Sequence, residues 1–188
     1  MIYFTSDSHL FHENIIKYCD RPFDNIDTMN DLIITNLHET LTNKDILFHL
    51  GDLTLGGSKN KPTVSKWIKQ LPCEKHFIMG NHDRFSKKFY KEECGFKTVQ
   101  YYICTARFSM THRPEHFLRE EFINNKILLH GHTHFKNQGI LFESLIELRD
   151  KNIYDVGVDA NNFKPVSLSE IKKFFKNKKE EVVSSLQK

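Results

Sequence analysis

Short apolar runs recur along the chain with amphipathic stretches between them. Residues 2–6, 45–50, 75–79, 98–105, 126–130 and 153–158 are brief and rich in Ile, Phe, Tyr and Val, a pattern that predicts strands. Between the first two, Met29, Leu32, Ile33, Leu37 and Leu41 repeat at intervals of three and four, which predicts a helix over 27–41 with Asp27 as its N-cap. A shorter helix carries Trp67, Ile68 and Leu71, opened by Pro62 and closed by Pro72. The early order is therefore βαβαβ. Strand candidates then follow one another with little helix over 96–112, so the sheets should be mixed rather than purely parallel. After Pro165, Ser167 or Ser169 can cap a last helix with Leu168, Ile171, Phe174 and Phe175 on one face.

The polar residues fall where the apolar runs end. The first run leads into Asp7-Ser8-His9, the second into Gly51-Asp52, the third into Gly80-Asn81-His82-Asp83. The run at 108–110 leads into Thr111-His112, and that at 127–129 into His130-Gly131-His132-Thr133-His134. Successive groups stand 43, 29, 30 and 20 residues apart (His9 to Asp52, Asp52 to Asn81, His82 to His112, His112 to His132). Those are the lengths of strand-and-crossover units, which can deliver such groups to one sheet edge. Extended backbone puts i and i+2 on one side, so Asp7 with His9, and His132 with His134, can each supply two groups. Imidazoles and oxygen donors in this number exceed one tetrahedral zinc and are too rich in nitrogen for calcium or magnesium. Two transition ions about 3.5–4 Å apart, sharing one carboxylate, suit them better.

Composition narrows the class. The chain has 188 residues, 39% hydrophobic and 27% charged, which suits one globular domain, expected over 1–176 with a charged tail over 177–188. A chain of this size buries enough surface to fold without a structural metal, so a metal would serve chemistry. It is also short for a (β/α)8 barrel of about 250 residues. No run of 18 apolar residues is present, and the first strand candidate starts beside Met1, so no membrane span and a cytoplasmic location are expected. Cys19, Cys73, Cys94 and Cys104 form no Cys-x-x-Cys pair and read as reduced packing thiols. The net charge of +3 hides a lysine-rich end: residues 164–188 hold seven Lys and three Glu, leaving a body near −1 with no evident basic stripe.

In their order and spacing these motifs resemble the calcineurin-like metallophosphoesterase superfamily, in its small single-domain bacterial and phage form. Asp-x-His, Gly-Asp, Gly-Asn-His-Asp, a lone His and Gly-His-x-His are matched by Asp7/His9, Asp52, Asn81/His82/Asp83, His112 and His132/His134. The resemblance implies an α/β four-layer sandwich, two facing mixed β-sheets flanked by helices, with a dinuclear centre at the strand ends. It implies that Asp7, His9 and His134 bind one ion, Asn81, His112 and His132 the other, and that Asp52 bridges them. His82 would face the phosphoryl group or leaving oxygen, and Asp83 would hold its imidazole by a hydrogen bond. Mn2+ is the expected ion, with Zn2+, Fe2+, Ni2+ or Co2+ as alternatives. Leu55 and its neighbours offer no phenolate, which argues against the coloured Fe(III) centre of purple acid phosphatases.

The implied reaction is hydrolysis of phosphate esters by a hydroxide bridging the metals. Phosphodiesters, a nucleotide or a short oligonucleotide, are favoured: the third motif ends in Asp83 where phosphoprotein phosphatases of the superfamily have Glu, and the chain leaves little room for an enclosing cap. Arg113, Arg84 and His12 stand beside the motifs and could reach substrate phosphate, as could Glu13 and His116. A phosphomonoesterase or protein phosphatase on the same site, and a non-enzymatic metal-binding scaffold of the same fold, are the alternatives. A metallo-β-lactamase-type centre is excluded because His132-Thr133-His134 is followed by Phe135 and no Asp-His pair.

Overall fold

A computed structural model describes residues 1–117, 126–136 and 152–186. Among these, strands β1 (Ile2–Thr5), β2 (Ile46–His49), β3 (Glu74–Ile78), β4 (Thr98–Gln100) and β9 (Val166–Ser167) form one sheet in the order β4-β3-β2-β1-β9. Strands β5 (Tyr102–Cys104), β6 (Phe108–Thr111), β7 (Ile127–His130) and β8 (Ile153–Asp155) form a second in sequence order. Both are mixed: β1 to β4 are parallel with β9 antiparallel to β1, and β6 to β8 are parallel with β5 antiparallel to β6. Two facing mixed sheets with flanking helices are the architecture the motifs led us to expect.

Strand alternation builds two cores. Tyr3, Leu47 and Phe77 turn outward against helices α1 (Asn14–Tyr18), α2 (Ile26–Thr40) and α3 (Lys61–Gln70), joining Met29, Ile33, Leu37, Val64 and Ile68. Phe4 and Ile78, one residue along, turn inward with Leu50 to meet Met110 and Leu129 of the second sheet. Helix α4 (Leu168–Leu186) adds Ile171 and Phe175 to that inner core beside Tyr154. Burying a Leu, Ile or Phe side chain is worth about 1.5–3 kcal/mol, so these two layers fix where the strand ends fall.

Three local expectations change. Asn25, not Asp27, caps α2: it is the last extended residue, and its side chain accepts a hydrogen bond from Thr28 N at 2.9 Å, while Asp27 lies inside the first turn. The run at 98–105 is two strands in different sheets, divided at Tyr101 where the chain crosses from one sheet edge to the other. Strand β9 lies where helix alone was expected; Ser167 ends it and caps α4, its Oγ accepting from Glu170 N at 3.2 Å while Glu170 accepts from Ser167 N at 2.8 Å. No helix among the described residues is long and apolar enough to cross a membrane.

Candidate metal centre

The parallel strands point their C-terminal ends the same way, and the loops that leave them carry Asp7, His9, Asp52, Asn81, His112, His132 and His134. The loops after β1 and β2 stay paired beyond the sheet, Asp7 N donating to Gly51 O and His9 N to Asp52 O, each at 2.9 Å. Asp7, His9, Asp52, His132 and His134 all adopt left-handed backbone, with φ of 58°, 48°, 54°, 75° and 53°. That conformation costs L-residues about 1–2 kcal/mol each and is retained only where the surroundings over-determine it. Two glycines let the loops close: a Cβ on Gly131 would lie 2.4 Å from Asp7 Oδ2, and one on Gly80 would lie 2.2 Å from Asp52 Oδ1.

Two groups of ligand-type atoms result, each within 4.8 Å of one another: Asp7, His9 and His134, and Asp52, His112 and His132. Asn81 joins the second, its Oδ1 lying 3.0 Å from His112 Nε2. Asp52 lies between the groups. Its Oδ1 accepts from His82 N at 2.8 Å, and its Oδ2, buried without a hydrogen-bond partner, lies 3.4 Å from His9 Nε2 and 3.2 Å from His112 Nε2.

These atoms fit a cation. The carbonyl of Leu50 can only accept, so His112 Nδ1 donates to it at 2.9 Å, and the neutral ring then turns its Nε2 lone pair toward the oxygens of Asp52 and Asn81. Lone pairs facing lone pairs repel unless a proton or a metal ion stands between them. His9 Nε2 is likewise buried and without a partner. Without metal, protons take that place. Burial acts to lower His112, but the close Asp52 carboxylate and the charge of Asp7 outweigh it and lift the ring to about 9. His134 is lifted to about 11 against its burial, chiefly by Asp7 and Asp159. Burial holds His9 well below its ordinary value, as a neutral ring. Asp52 is held low despite its burial, by His112 and His9.

A second layer, which the motifs did not reveal, steadies the first. His134 Nδ1 donates to Asp159 Oδ2 at 2.9 Å, leaving Nε2 to face Asp7. Asp159 is gripped by buried Arg21 through two 2.8 Å hydrogen bonds, and Arg21 also donates to Asp7 O at 2.8 Å and Ser8 O at 3.4 Å. Asp7 itself accepts from Ser6 Oγ at 2.5 Å and from His132 N at 3.0 Å. Asp159 lies in the loop after β8, so the rule that found the other groups, a polar residue after an apolar run, would have found it too.

Asp83 does not hold the His82 imidazole. Its carboxylate is buried under the turn and accepts from Asp52 N and Gly80 N at 2.7 Å, Leu53 N at 3.0 Å and Tyr90 OH at 3.3 Å. With four donors converging on it, Asp83 ties the second motif to the third instead of orienting the histidine. Burial, then the charge of Asp52, pushes its carboxyl up to about 6. His82 Nδ1 is buried without a partner, and the ring lies 5.4 Å from that of His9.

Of the flanking residues, His12 is at the site, its Nδ1 3.4 Å from His9 Nδ1. Arg113 lines a cavity with Asn81 and His112 and pairs with Glu115 at 2.8 Å. Arg84 is exposed and makes no hydrogen bond or ion pair among the described residues. The His116 side chain lies outside the described residues. His49 bonds Ser8 Oγ at 3.0 Å and His130 the Gly131 carbonyl at 2.8 Å, so both are buried polar supports. All four cysteines are free thiols; Cys73 and Cys94 pack in the outer core, but Cys19 lies within 4.8 Å of the ligand atoms of His134 and Asp159.

A family model described as calcineurin-like phosphoesterase matches residues 1–110. The chain is 37% identical over 179 residues to the uncharacterized protein MJ1445 of Methanocaldococcus jannaschii, covering 95% of this chain and 93% of that one. The crystal structure of a protein of unknown function from Aquifex aeolicus, AQ665, is similar over 93% of this chain and 98% of that one, at 28% identity and a TM-score of 0.71. A remoter likeness, at 17% identity and a TM-score of 0.48 over 71% of this chain and 61% of that one, is to the nuclease MPE of Pseudomonas putida.

Proposed function

This chain belongs to the calcineurin-like phosphoesterase family, and we propose that it is a dinuclear, metal-dependent hydrolase of phosphate esters that favours phosphodiesters. The observation that carries this reading is Asp52 Oδ2, buried without a hydrogen-bond partner between His9 Nε2 at 3.4 Å and His112 Nε2 at 3.2 Å. Asp7, His9 and His134 would hold one ion, Asn81, His112 and His132 the other, and Asp52 both. Two divalent ions there would lower the pKa of a water between them and neutralise charge on phosphoryl oxygens. Mn2+ suits a ligand set that mixes imidazole with carboxylate and amide oxygens.

The chain's own residues do the rest. His112 and His134 are locked by Leu50 O and Asp159, so that each presents Nε2 to the site. Asp83 fixes the peptide of Asp52. As the oxygen of water bonds to phosphorus and gives up its proton to solvent, the P–O ester bond breaks, and His82 in its protonated form would give the departing oxygen a proton and regain one from solvent. His82 is suited to this because its backbone N–H is anchored on Asp52 while its ring stands beside those of His9 and His12, at 5.4 Å and 6.3 Å. Arg113, on the wall of the cavity that holds Asn81 and His112, would contact a non-bridging phosphate oxygen or the second ester arm. That cavity has the exposed Tyr101 on its lip and no enclosing cap among the described residues, which favours a diester over a small monoester. Four free thiols favour the reducing cytoplasm as its compartment.

The test is kcat/KM for matched aryl phosphomonoesters and phosphodiesters in Mn2+. A diester advantage is expected. A tenfold monoester advantage would overturn the substrate preference, and no turnover of either ester in Mn2+, Zn2+, Fe2+, Ni2+ or Co2+ would overturn the enzymatic reading.

A further inference from the structure

Two cavities adjoin beside the metal centre. The first, of about 230 Å³, holds Asn81, His112 and Arg113 in its walls with Tyr101 on its lip. The second, of about 360 Å³, is lined by Lys87, Lys88, Lys91 and Lys97 against the edge strand β4. Consecutive residues line them where the chain leaves β4 for β5, Tyr101 the first and Gln100 the second. Lys87 of the second meets Tyr101 of the first, its Nζ lying 4.2 Å from the centroid of the ring. Tyr101 is 62% exposed.

The sequence conceals this charge because Glu92 and Glu93 sit among the lysines. The fold separates them. Glu93 pairs with Lys61 at 3.3 Å, Glu92 approaches Lys88 only to 3.9 Å, and Lys97 is neutralised by Glu74 at 2.8 Å. Among the described residues, neither Lys87 nor Lys91 has a carboxylate within 4.0 Å. A cavity with two ammonium groups that lack a carboxylate partner among the described residues therefore meets an exposed aromatic ring beside the candidate metal centre.

Lysines that track phosphates and an aromatic face that stacks a base are the two elements by which proteins hold single-stranded nucleic acid. An acidic peptide would use the lysines but not the ring. Lysines beside an unpaired edge also discourage sheet extension, and Lys97 on Glu74 meets that need. It leaves unexplained a tyrosine capped by Lys87 on the lip of the metal cavity. We propose that this groove seats one arm of a single-stranded oligonucleotide, a base on Tyr101 and the adjacent phosphates on Lys87 and Lys91, with the scissile diester at the metal centre. The inference rests on the phosphodiesterase reading and supplies its substrate class.

The test uses the full Mn2+-loaded chain and a fluorescent single-stranded phosphorothioate decamer, which resists hydrolysis, with binding read by anisotropy. Tyr101→Ala should weaken binding about 10-fold and Tyr101→Trp should restore it. Lys87→Ala/Lys91→Ala should weaken it and reduce the slope of log K against log salt by about 1.4, while Lys172→Ala, outside the groove, changes neither. Wild-type binding by the groove variants, or equal competition by polyglutamate, would overturn the proposal. Aryl diester turnover is measured in parallel to keep the two readings apart. Turnover with variant-insensitive decamer binding removes the groove alone, whereas groove-dependent binding without turnover of any diester removes the enzymatic reading alone.

Discussion

Replacing Arg21 by methionine removes the guanidinium that ties the loop after β8 to the loop after β1. Both Arg21 and Asp159 are buried, their side chains 0% and 2% exposed, so the substitution leaves the buried carboxylate with His134 as its remaining charged partner among the described residues. Asp159 loses two 2.8 Å charge-assisted hydrogen bonds and keeps the one from His134, and the carbonyls of Asp7 and Ser8 lose a shared donor. Removing one partner of such a pair costs about 3–5 kcal/mol, a large share of a typical stability of about 5–15 kcal/mol. The variant Arg21→Met/Asp159→Leu removes both charges together, and stability should return to within about 1–2 kcal/mol of wild type. Function should not return with it. Without Asp159 the His134 ring loses the carboxylate that accepts from Nδ1–H, and loss of such an orienting bond lowers metal affinity about 10- to 100-fold. Urea denaturation of the metal-stripped proteins gives the stabilities, and Mn2+ titration gives the affinities. An Arg21→Met cost below about 1 kcal/mol, or wild-type metal affinity in the double variant, would refute the coupling of this ion pair to the site.

Asp52→Asn should cut activity more than any other single ligand substitution and release metal, whereas His82→Ala should keep its metal and lose about 10²- to 10⁴-fold in kcat; metal analysis beside turnover separates them, and metal loss from His82→Ala would contradict the division of roles. Gly131→Ala should push Asp7 aside, because the added Cβ falls 2.4 Å from Asp7 Oδ2 and Ser6 Oγ, at a cost of about 1–3 kcal/mol and with weakened metal binding, both readable by thermal unfolding with and without Mn2+. In metal-stripped protein the raised values of His112, about 9, and His134, about 11, make a contribution to stability that is complete below the ordinary imidazole value near 6.5 and is lost as pH rises through 9 and then 11. Urea midpoints should therefore fall between pH 7 and 10 without metal and hold steady with it; equal slopes in the two states would contradict a shared site for proton and ion.

The strand-end groups were legible because chelating chemistry needs specific side chains, and parallel strands deliver the residues just beyond them to one edge. Asp7, His9, Asp52, Asn81, His112, His132 and His134 converge for that reason. The features that escaped the sequence depend on packing between distant segments. Arg21 reaches Asp159 across 138 residues of chain, and nothing local to either announces the partner. Asp83 follows His82 in the sequence, but its buried carboxylate accepts from the peptide N–H groups of Asp52, Leu53 and Gly80, segments that only the fold brings to it. The break at Tyr101 was invisible to periodicity because residues on both sides favour strand; only the closing of two sheets on one another divides them. The lysine cavity was masked in the same way, since a charge count sums Glu92 and Glu93 with neighbours from which the fold parts them.

In the proposed centre Asp52 joins two ions. Loading the metal-stripped chain with Mn2+ and recording both bound metal and the electron paramagnetic resonance spectrum tests it most directly. The expected result is about two ions per chain with the spectrum of an exchange-coupled pair, which Asp52→Asn converts to that of isolated ions or abolishes. A single ion per chain, or two that remain magnetically independent in the wild-type protein, would contradict it.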